Sequence, residues 1–240
     1  MNNFLNAILF IIGITVGFFL KTKTIEIPQS LDMKKTHYEK SKGEIWSILT
    51  YMGIGGISSI ILAEVFKINV QKFDISNLII YIFAMIYISI LIIIAGIDRD
   101  YSKIEKRVLA FGIISSIVYM LYLCIVDLAS IYLNGIYLAI YMGLLIIDTF
   151  LLRRYAKDSY IINTLLLSVV ILVYTDINTL IYTIILALIA IILYSLLLKR
   201  QQKKNGNKKI KIKDIPIGYF IAASNIIVLF MIKILENYSI

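Results

Sequence analysis

The stretch NLIIYIFAMIYISILIIIAG, residues 77–96, decides the class of fold of this chain. It holds twenty consecutive residues without one charged side chain, and most of them are isoleucine, leucine or aromatic. Because an α-helix rises about 1.5 Å per residue, a segment of this length crosses the ~30 Å hydrocarbon core of a bilayer. The stretch therefore predicts a transmembrane helix.

The rest of the chain repeats this pattern. Its 240 residues are 60% hydrophobic and include two prolines, and the mean hydropathy of +0.88 is outside the range of water-soluble domains. In lipid every backbone polar group must be satisfied within its own segment, which favours helices. We predict an all-α, polytopic membrane bundle that forms one domain over residues 1–240. Its eight predicted spans are 3–20, 47–66, 77–96, 106–126, 131–151, 160–174, 179–198 and 215–235.

The basic residues lie on alternate loops of this arrangement. Nearly all lysines and arginines fall in the loops 21–46, 97–107, 152–159 and 199–214, whereas 127–130, 175–178 and the C-terminal tail have none. Basic loops face the cytosol, so we expect both termini outside, in a multi-pass protein of the cell membrane. This topology also explains the net charge of +9. We therefore expect the lipid bilayer, and no nucleic acid, as a partner.

Two aspartates stand out at the predicted cytosolic boundary. Asp98 and Asp158 each lie where an apolar span meets a basic loop, and two spans separate them. Carboxylates close to hydrocarbon are costly and are typically retained for function. Asp148, within the predicted span 131–151, is a competing partner for Asp98. The simpler alternative is that Asp98 and Asp158 are helix-end residues in ion pairs with Arg99, Lys103, Arg154 or Lys157.

A pair of neighbouring carboxylates can catalyse hydrolysis without a metal or a nucleophilic side chain. Mutual repulsion keeps one carboxyl protonated while the other activates water. The chain has one histidine and one cysteine, Cys124, so a disulfide, a cysteine-ligated zinc site and Cys–His catalysis are not expected. We predict neither a metal nor a cofactor. Serine chemistry with a lysine base stays open.

The text around both aspartates resembles the type IV prepilin peptidases. In IAGIDRDYSKIEKRVLAFGI, residues 94–113, an aspartate after an apolar span precedes Ile104 by six positions, as in the family, although Glu105 replaces the family's proline. YAKDSYIINTLLL, residues 155–167, lies where that family has Gly-x-Gly-Asp before an apolar helix. The spacing of 60 between Asp98 and Asp158 is similar to that of the family's two catalytic aspartates.

Three further segments follow the family's order. ITVGFFL, residues 14–20, resembles its Gly-Ser-Phe-Leu-Asn element, and ISSIILAE, residues 57–64, resembles its Ile-Ser…Glu segment. IPIGYFIAASN, residues 215–225, resembles the Ile-Pro-Phe-Gly-Pro-Phe segment that opens the last span. The chain departs from the family at Tyr155 and Lys157, which occupy the glycine positions before the second aspartate.

The resemblance implies an aspartic-type endopeptidase with Asp98 and Asp158 as its catalytic pair. Its substrate would be a type IV pilin-like precursor whose basic leader is cut at the cytosolic membrane boundary. The loop 21–46 has no cysteine, unlike the longer members that also methylate the new N-terminus. We therefore expect cleavage without methylation, and neither aspartate is assigned as the base.

Two alternatives stay open. A small transporter or an assembly factor could use Asp148 and Asp98 as an ion or proton relay. A family member could also have kept the fold and lost the chemistry. No internal repeat is visible, and Pro216 is the only proline that opens or lies inside a predicted span, which disfavours a transporter.

Overall fold

The structure is a computed structural model that describes residues 2–31, 44–65, 75–126, 159–205 and 215–238, and single positions between 132 and 147. These residues contain α-helices and no strands, which confirms the predicted all-α class for this part of the chain. We number the helices α1 (Asn2–Ser30), α2 (Glu44–Val65), α3 (Ile75–Tyr101), α4 (Lys106–Val126), α5 (Ser159–Tyr174), α6 (Ile177–Asn205) and α7 (Ile217–Tyr238).

Five of the described helices are long and apolar enough to cross a membrane. These segments are Leu5–Ser30, Trp46–Glu64, Ile75–Tyr101, Lys106–Val126 and Ile177–Arg200. Large apolar side chains face outwards on them; Ile125, for example, is 81% exposed and Ile11 is 62% exposed. A soluble monomer rarely exposes apolar surface so extensively. The length and composition of these helices are therefore compatible with a membrane protein.

Three helices continue well beyond their predicted spans: α1, α3 and α6, the last of which ends at Asn205 instead of residue 198, so that residues 199–205 of the predicted basic loop are helical. α1 continues beyond Leu20 to Ser30, so Pro28, which the prediction placed in a loop, lies in its last turn. The continuation is covered by neighbours: Lys21 is buried with its Nζ 5.3 Å from the centroid of the Tyr51 ring. Pro28 has no N–H to donate to the preceding turn, and the helix ends two residues later.

The second difference concerns α3. This helix continues beyond residue 96 to Tyr101, so Asp98 lies in its last helical turn and not in the following loop. The extension is held by its packing, because Ile94 and Ile97 are fully buried. The position of the carboxyl is therefore fixed by a helix.

α3 is the central element of the bundle. It contacts α1, α2, α4 and α7, and its side chains Leu91 and Ile94 are fully buried in the apolar core. Midway along it, the Tyr87 hydroxyl donates a hydrogen bond to Oδ1 of Asn225 on α7. The Asn225 amide in turn donates to Thr183 of α6 over 3.0 Å. This buried polar chain connects three helices in the interior of the bundle.

Candidate active site around Asp98

Asp98 is fully buried, with 0% of its surface exposed. Its backbone carbonyl accepts a hydrogen bond from the N–H of Ser102 over 2.8 Å, and Ser102 has a positive φ of 48°. A residue in this left-handed conformation commonly ends a helix and satisfies one of its last carbonyls. The helix thus ends one turn after Asp98, and the carboxyl remains inside the bundle.

Two donors from distant parts of the chain meet one oxygen of this carboxyl. Oδ2 accepts a hydrogen bond from the Tyr160 hydroxyl at 3.0 Å and another from the backbone N–H of Tyr219 at 2.8 Å. Tyr160 stands at the start of α5 and Tyr219 in the first turn of α7. The end of α3 and the beginnings of α5 and α7 therefore converge on Asp98.

The first turn of α7 supplies N–H groups that no carbonyl of its own helix can accept. The Pro216 carbonyl accepts from the N–H of Phe220 at 3.3 Å, which makes Pro216 the residue that caps this helix. The N–H of Gly218 donates to the Tyr160 hydroxyl at 3.2 Å, and that of Tyr219 donates to Asp98. Both donors are satisfied by side chains from other helices, and the positive end of the α7 dipole faces the carboxylate.

Gly218 allows this close approach. A Cβ added at Gly218 would lie 2.8 Å from the Ile104 side chain and 3.1 Å from Oδ2 of Asp98. Ile104 is buried, and its carbonyl accepts a hydrogen bond from the Asn163 amide at 3.0 Å. Ile104, which stands where the prepilin peptidases have isoleucine, is thus packed between α5 and α7.

The other oxygen of Asp98 has a different environment. Oδ1 is buried, and no hydrogen-bond partner for it exists among the residues that the structure describes. A buried polar atom without a partner is costly, and a catalytic role is one of the reasons for which proteins keep one. The two oxygens of this carboxyl are therefore inequivalent.

No ion pair to Asp98 occurs among the described residues, whereas Arg154 and Lys157, two of its predicted partners, lie outside them. The Arg99 side chain points elsewhere, since its Nε lies 2.9 Å from Oδ1 of Asp100. That pair is solvated, with the two side chains 49% and 35% exposed. Within the described ranges, Asp98 is thus held by neutral donors.

Glu105 has a structural role. It stands where the prepilin peptidases have proline, and its carbonyl accepts from the N–H of Leu109 at 3.0 Å. Its Oε1 also accepts from the N–H of Arg107 at 3.1 Å, so Glu105 caps α4. The side chain satisfies a backbone donor that a proline would have left to another acceptor.

Asp158, the second predicted catalytic residue, lies outside the described residues, as do its competitor Asp148 and the residues Tyr155 and Lys157. Tyr160, two positions after Asp158, was not predicted as a site residue, and neither were Gly218 and Tyr219. All three lie in segments that resemble the prepilin peptidases. Their partnership with Asp98 joins residues up to 121 positions apart, which no local pattern indicates.

No group of three or more histidine, cysteine, aspartate or glutamate side chains suited to a metal ion occurs among the described residues. The site that the structure does describe consists of one carboxyl, one phenol and two backbone N–H groups. Comparison of the chain with protein-family models, with curated proteins and with solved structures found no match. The functional argument therefore depends on the chemistry of the residues themselves.

Proposed function

We propose that this chain is a multi-pass membrane aspartic endopeptidase that cleaves the basic leader of type IV pilin-like precursors, without methylating the product. The observation that supports this most is the contact between Asp98 and Tyr160. Tyr160 follows Asp158 by two positions in the sequence. Asp98 is thus contacted by α5, the helix that begins at Ser159, directly after Asp158.

A second argument comes from the segments that resemble the prepilin peptidases. Three of the five contribute to the cluster at Asp98: the first aspartate segment, the segment of Tyr160, and the segment that opens the last helix. They are far apart in the sequence, and the resemblance alone does not say that they touch. Their convergence is the arrangement that a shared site would require.

In the proposed reaction, Asp98 and Asp158 flank one water molecule. One carboxylate takes a proton from the water while the water oxygen bonds to the scissile carbonyl carbon. The other carboxyl gives a proton to the leaving nitrogen as the C–N bond breaks. One water is consumed for each peptide bond cut. No metal, nucleophilic side chain or cofactor enters this scheme.

The proposal includes the topology predicted above, with eight spans, both termini outside and the two aspartates at the cytosolic boundary. The basic loops on that side repel a basic leader, so electrostatic attraction cannot bring the precursor to the site. The apolar helix of the precursor would therefore supply most of the binding energy by packing against the bundle. A precursor with a shortened apolar helix should lose affinity.

The direct test is to replace Asp98 and Asp158 singly by asparagine and to follow cleavage of a pilin-like precursor in membranes. Loss of either general acid or base should slow cleavage by about 100-fold to 10,000-fold. Asp100→Asn is the matched control, because Asp100 is two positions away but pairs with Arg99. Unchanged cleavage by both Asp98→Asn and Asp158→Asn rejects the peptidase.

Asp148→Asn separates the two possible partners of Asp98. If Asp158 is the partner, Asp148→Asn cleaves the precursor at a rate close to that of the wild type. A loss of cleavage in Asp148→Asn with full activity in Asp158→Asn assigns the partnership to Asp148. A wild-type protein that leaves every precursor uncut favours a relay or an inactive relative.

A further inference from the structure

We infer that Tyr160 is a positioning residue that fixes Asp98 through Oδ2, so that Oδ1 is the oxygen through which Asp98 exchanges a proton with the attacking water or the leaving nitrogen. This inference rests on the proposed function. The resemblance implies the two aspartates as site residues and does not imply Tyr160. Three steps lead to it.

The first step is the direction of the hydrogen bonds at Tyr160. A backbone N–H can only donate, so the N–H of Gly218 donates to the Tyr160 oxygen, 3.2 Å away. The phenol proton is then available for Oδ2 of Asp98, 3.0 Å away. The N–H of Gly218 therefore orients the Tyr160 hydroxyl, and this hydroxyl orients the Asp98 carboxyl.

The second step is the occupancy of Oδ2. A carboxylate has about four acceptor sites over its two oxygens, about two on each. Oδ2 already accepts from Tyr160 and from the N–H of Tyr219, at 3.0 and 2.8 Å. Gly218 also approaches so closely that a Cβ there would lie 3.1 Å from Oδ2. No acceptor site and little space remain on this oxygen for water.

The third step concerns Oδ1. It is buried and has no hydrogen-bond partner within the ranges that the structure describes. None of the described residues occupies its acceptor sites, in contrast to those of Oδ2. Whether Asp98 acts as base or as acid, the proton is taken up or released at Oδ1, and Tyr160 keeps its own proton throughout.

The kinetic test compares Tyr160→Phe with the wild type in a cleavage assay on the full-length protein. Because the inference gives Tyr160 a role through Asp98 and none in binding the substrate, kcat should fall by about 10-fold to 100-fold, the usual effect of losing a hydrogen bond to a charged group, while KM is unchanged. Tyr122→Phe is the matched control, since it removes a hydroxyl that bonds to Ser76, at the opposite end of α3 from Asp98. A Tyr160→Phe protein with wild-type kcat overturns the inference.

A second measurement reports on the contact without depending on activity. The infrared difference spectrum between wild type and Asp98→Asn identifies the carboxyl band of Asp98, and this band should shift in Tyr160→Phe but not in Tyr122→Phe. A band that does not move overturns the inference whether or not the protein cleaves precursors. A band that shifts in a protein that cleaves nothing overturns the proposed function and the role of Oδ1, while the contact itself stands.

Discussion

Asp98 satisfies a structural requirement and a chemical one with the same side chain. The first turn of α7 needs acceptors for its N–H groups, and Oδ2 of Asp98 accepts the one from Tyr219. A carboxylate needs donors to remain inside an apolar bundle, and the Tyr160 hydroxyl is one of them. Asp98 thus accepts from α7 and is held in place by its donors. We therefore expect substitutions at this junction, where Asp98 meets Tyr160 and the first turn of α7, to affect both stability and the proposed activity.

Gly218→Ala is predicted to damage the junction. The added Cβ would lie 2.8 Å from Ile104 and 3.1 Å from Oδ2 of Asp98, so one of these must move. Forcing a methyl group into a packed interior costs about 1–3 kcal/mol. We expect the free energy of unfolding in detergent to fall by this amount, and precursor cleavage to decrease.

Gly53→Ala is the control for this change. A Cβ at Gly53 would meet no atom within 4 Å, and alanine has the higher helix propensity. Gly53→Ala should therefore leave unfolding and cleavage unchanged or slightly improve stability. If Gly218→Ala unfolds at the same denaturant concentration as the wild type, the result contradicts the close packing of Gly218 against Ile104 and Asp98.

The helices could be predicted from the sequence where apolar residues run without interruption. α3 covers Ile75–Tyr101 and includes the whole predicted span 77–96, because hydrophobic length alone specifies such a helix. The continuation of α1 to Ser30 could not be predicted, since Lys21 and Thr24 have the composition of a loop and are buried only because α2 and α3 lie against them. Tertiary contact decides these ends.

In the candidate site, too, one residue could be predicted from the sequence and another depends on tertiary contact. Asp98 could be selected from its position after an apolar span, because a carboxylate there is costly and therefore informative. Tyr160 carries no such signal, as one of 17 tyrosines in the chain. Its role arises only when the ends of three helices meet, which depends on their packing and not on local sequence.

The interior polar chain between helices gives a prediction for the elements themselves. Tyr87, Asn225 and Thr183 connect α3, α7 and α6 by consecutive hydrogen bonds. Hydrogen bonds between membrane helices contribute about 0.6–2 kcal/mol each. Asn225→Leu should therefore lower the free energy of unfolding in detergent, and Tyr87→Phe should do the same.

A double-mutant cycle isolates the contact between these two residues. If the Tyr87 hydroxyl contributes through Asn225, the losses from Tyr87→Phe and Asn225→Leu are not additive, and the coupling is about 0.6–2 kcal/mol. Ile227→Leu, at a half-exposed apolar position on the same helix, should have little effect. Strictly additive losses from the two substitutions contradict the hydrogen bond.

For the whole molecule, the proposed site depends on which ends of the helices share a side of the membrane. The contacts at Asp98 bring together the end of α3 and the beginnings of α5 and α7. The loops next to these ends, 97–107, 152–159 and 199–214, are the basic ones. Packing and charge thus agree that these ends belong on one side, and the proposed topology places that side in the cytosol.

Cysteine labelling tests this sidedness in a Cys124→Ser background, since Cys124 is the only cysteine of the chain. Lys103→Cys and Lys157→Cys should resist a membrane-impermeant maleimide in intact cells and react once the membrane is permeabilised. Asn178→Cys, at an exposed position in the first turn of α6 and within the segment 175–178 predicted to lie outside, should react in intact cells. Two aspartates can share a water only on one face of the membrane. Labelling of Lys103→Cys and Lys157→Cys from opposite sides would therefore exclude Asp158 as the partner of Asp98.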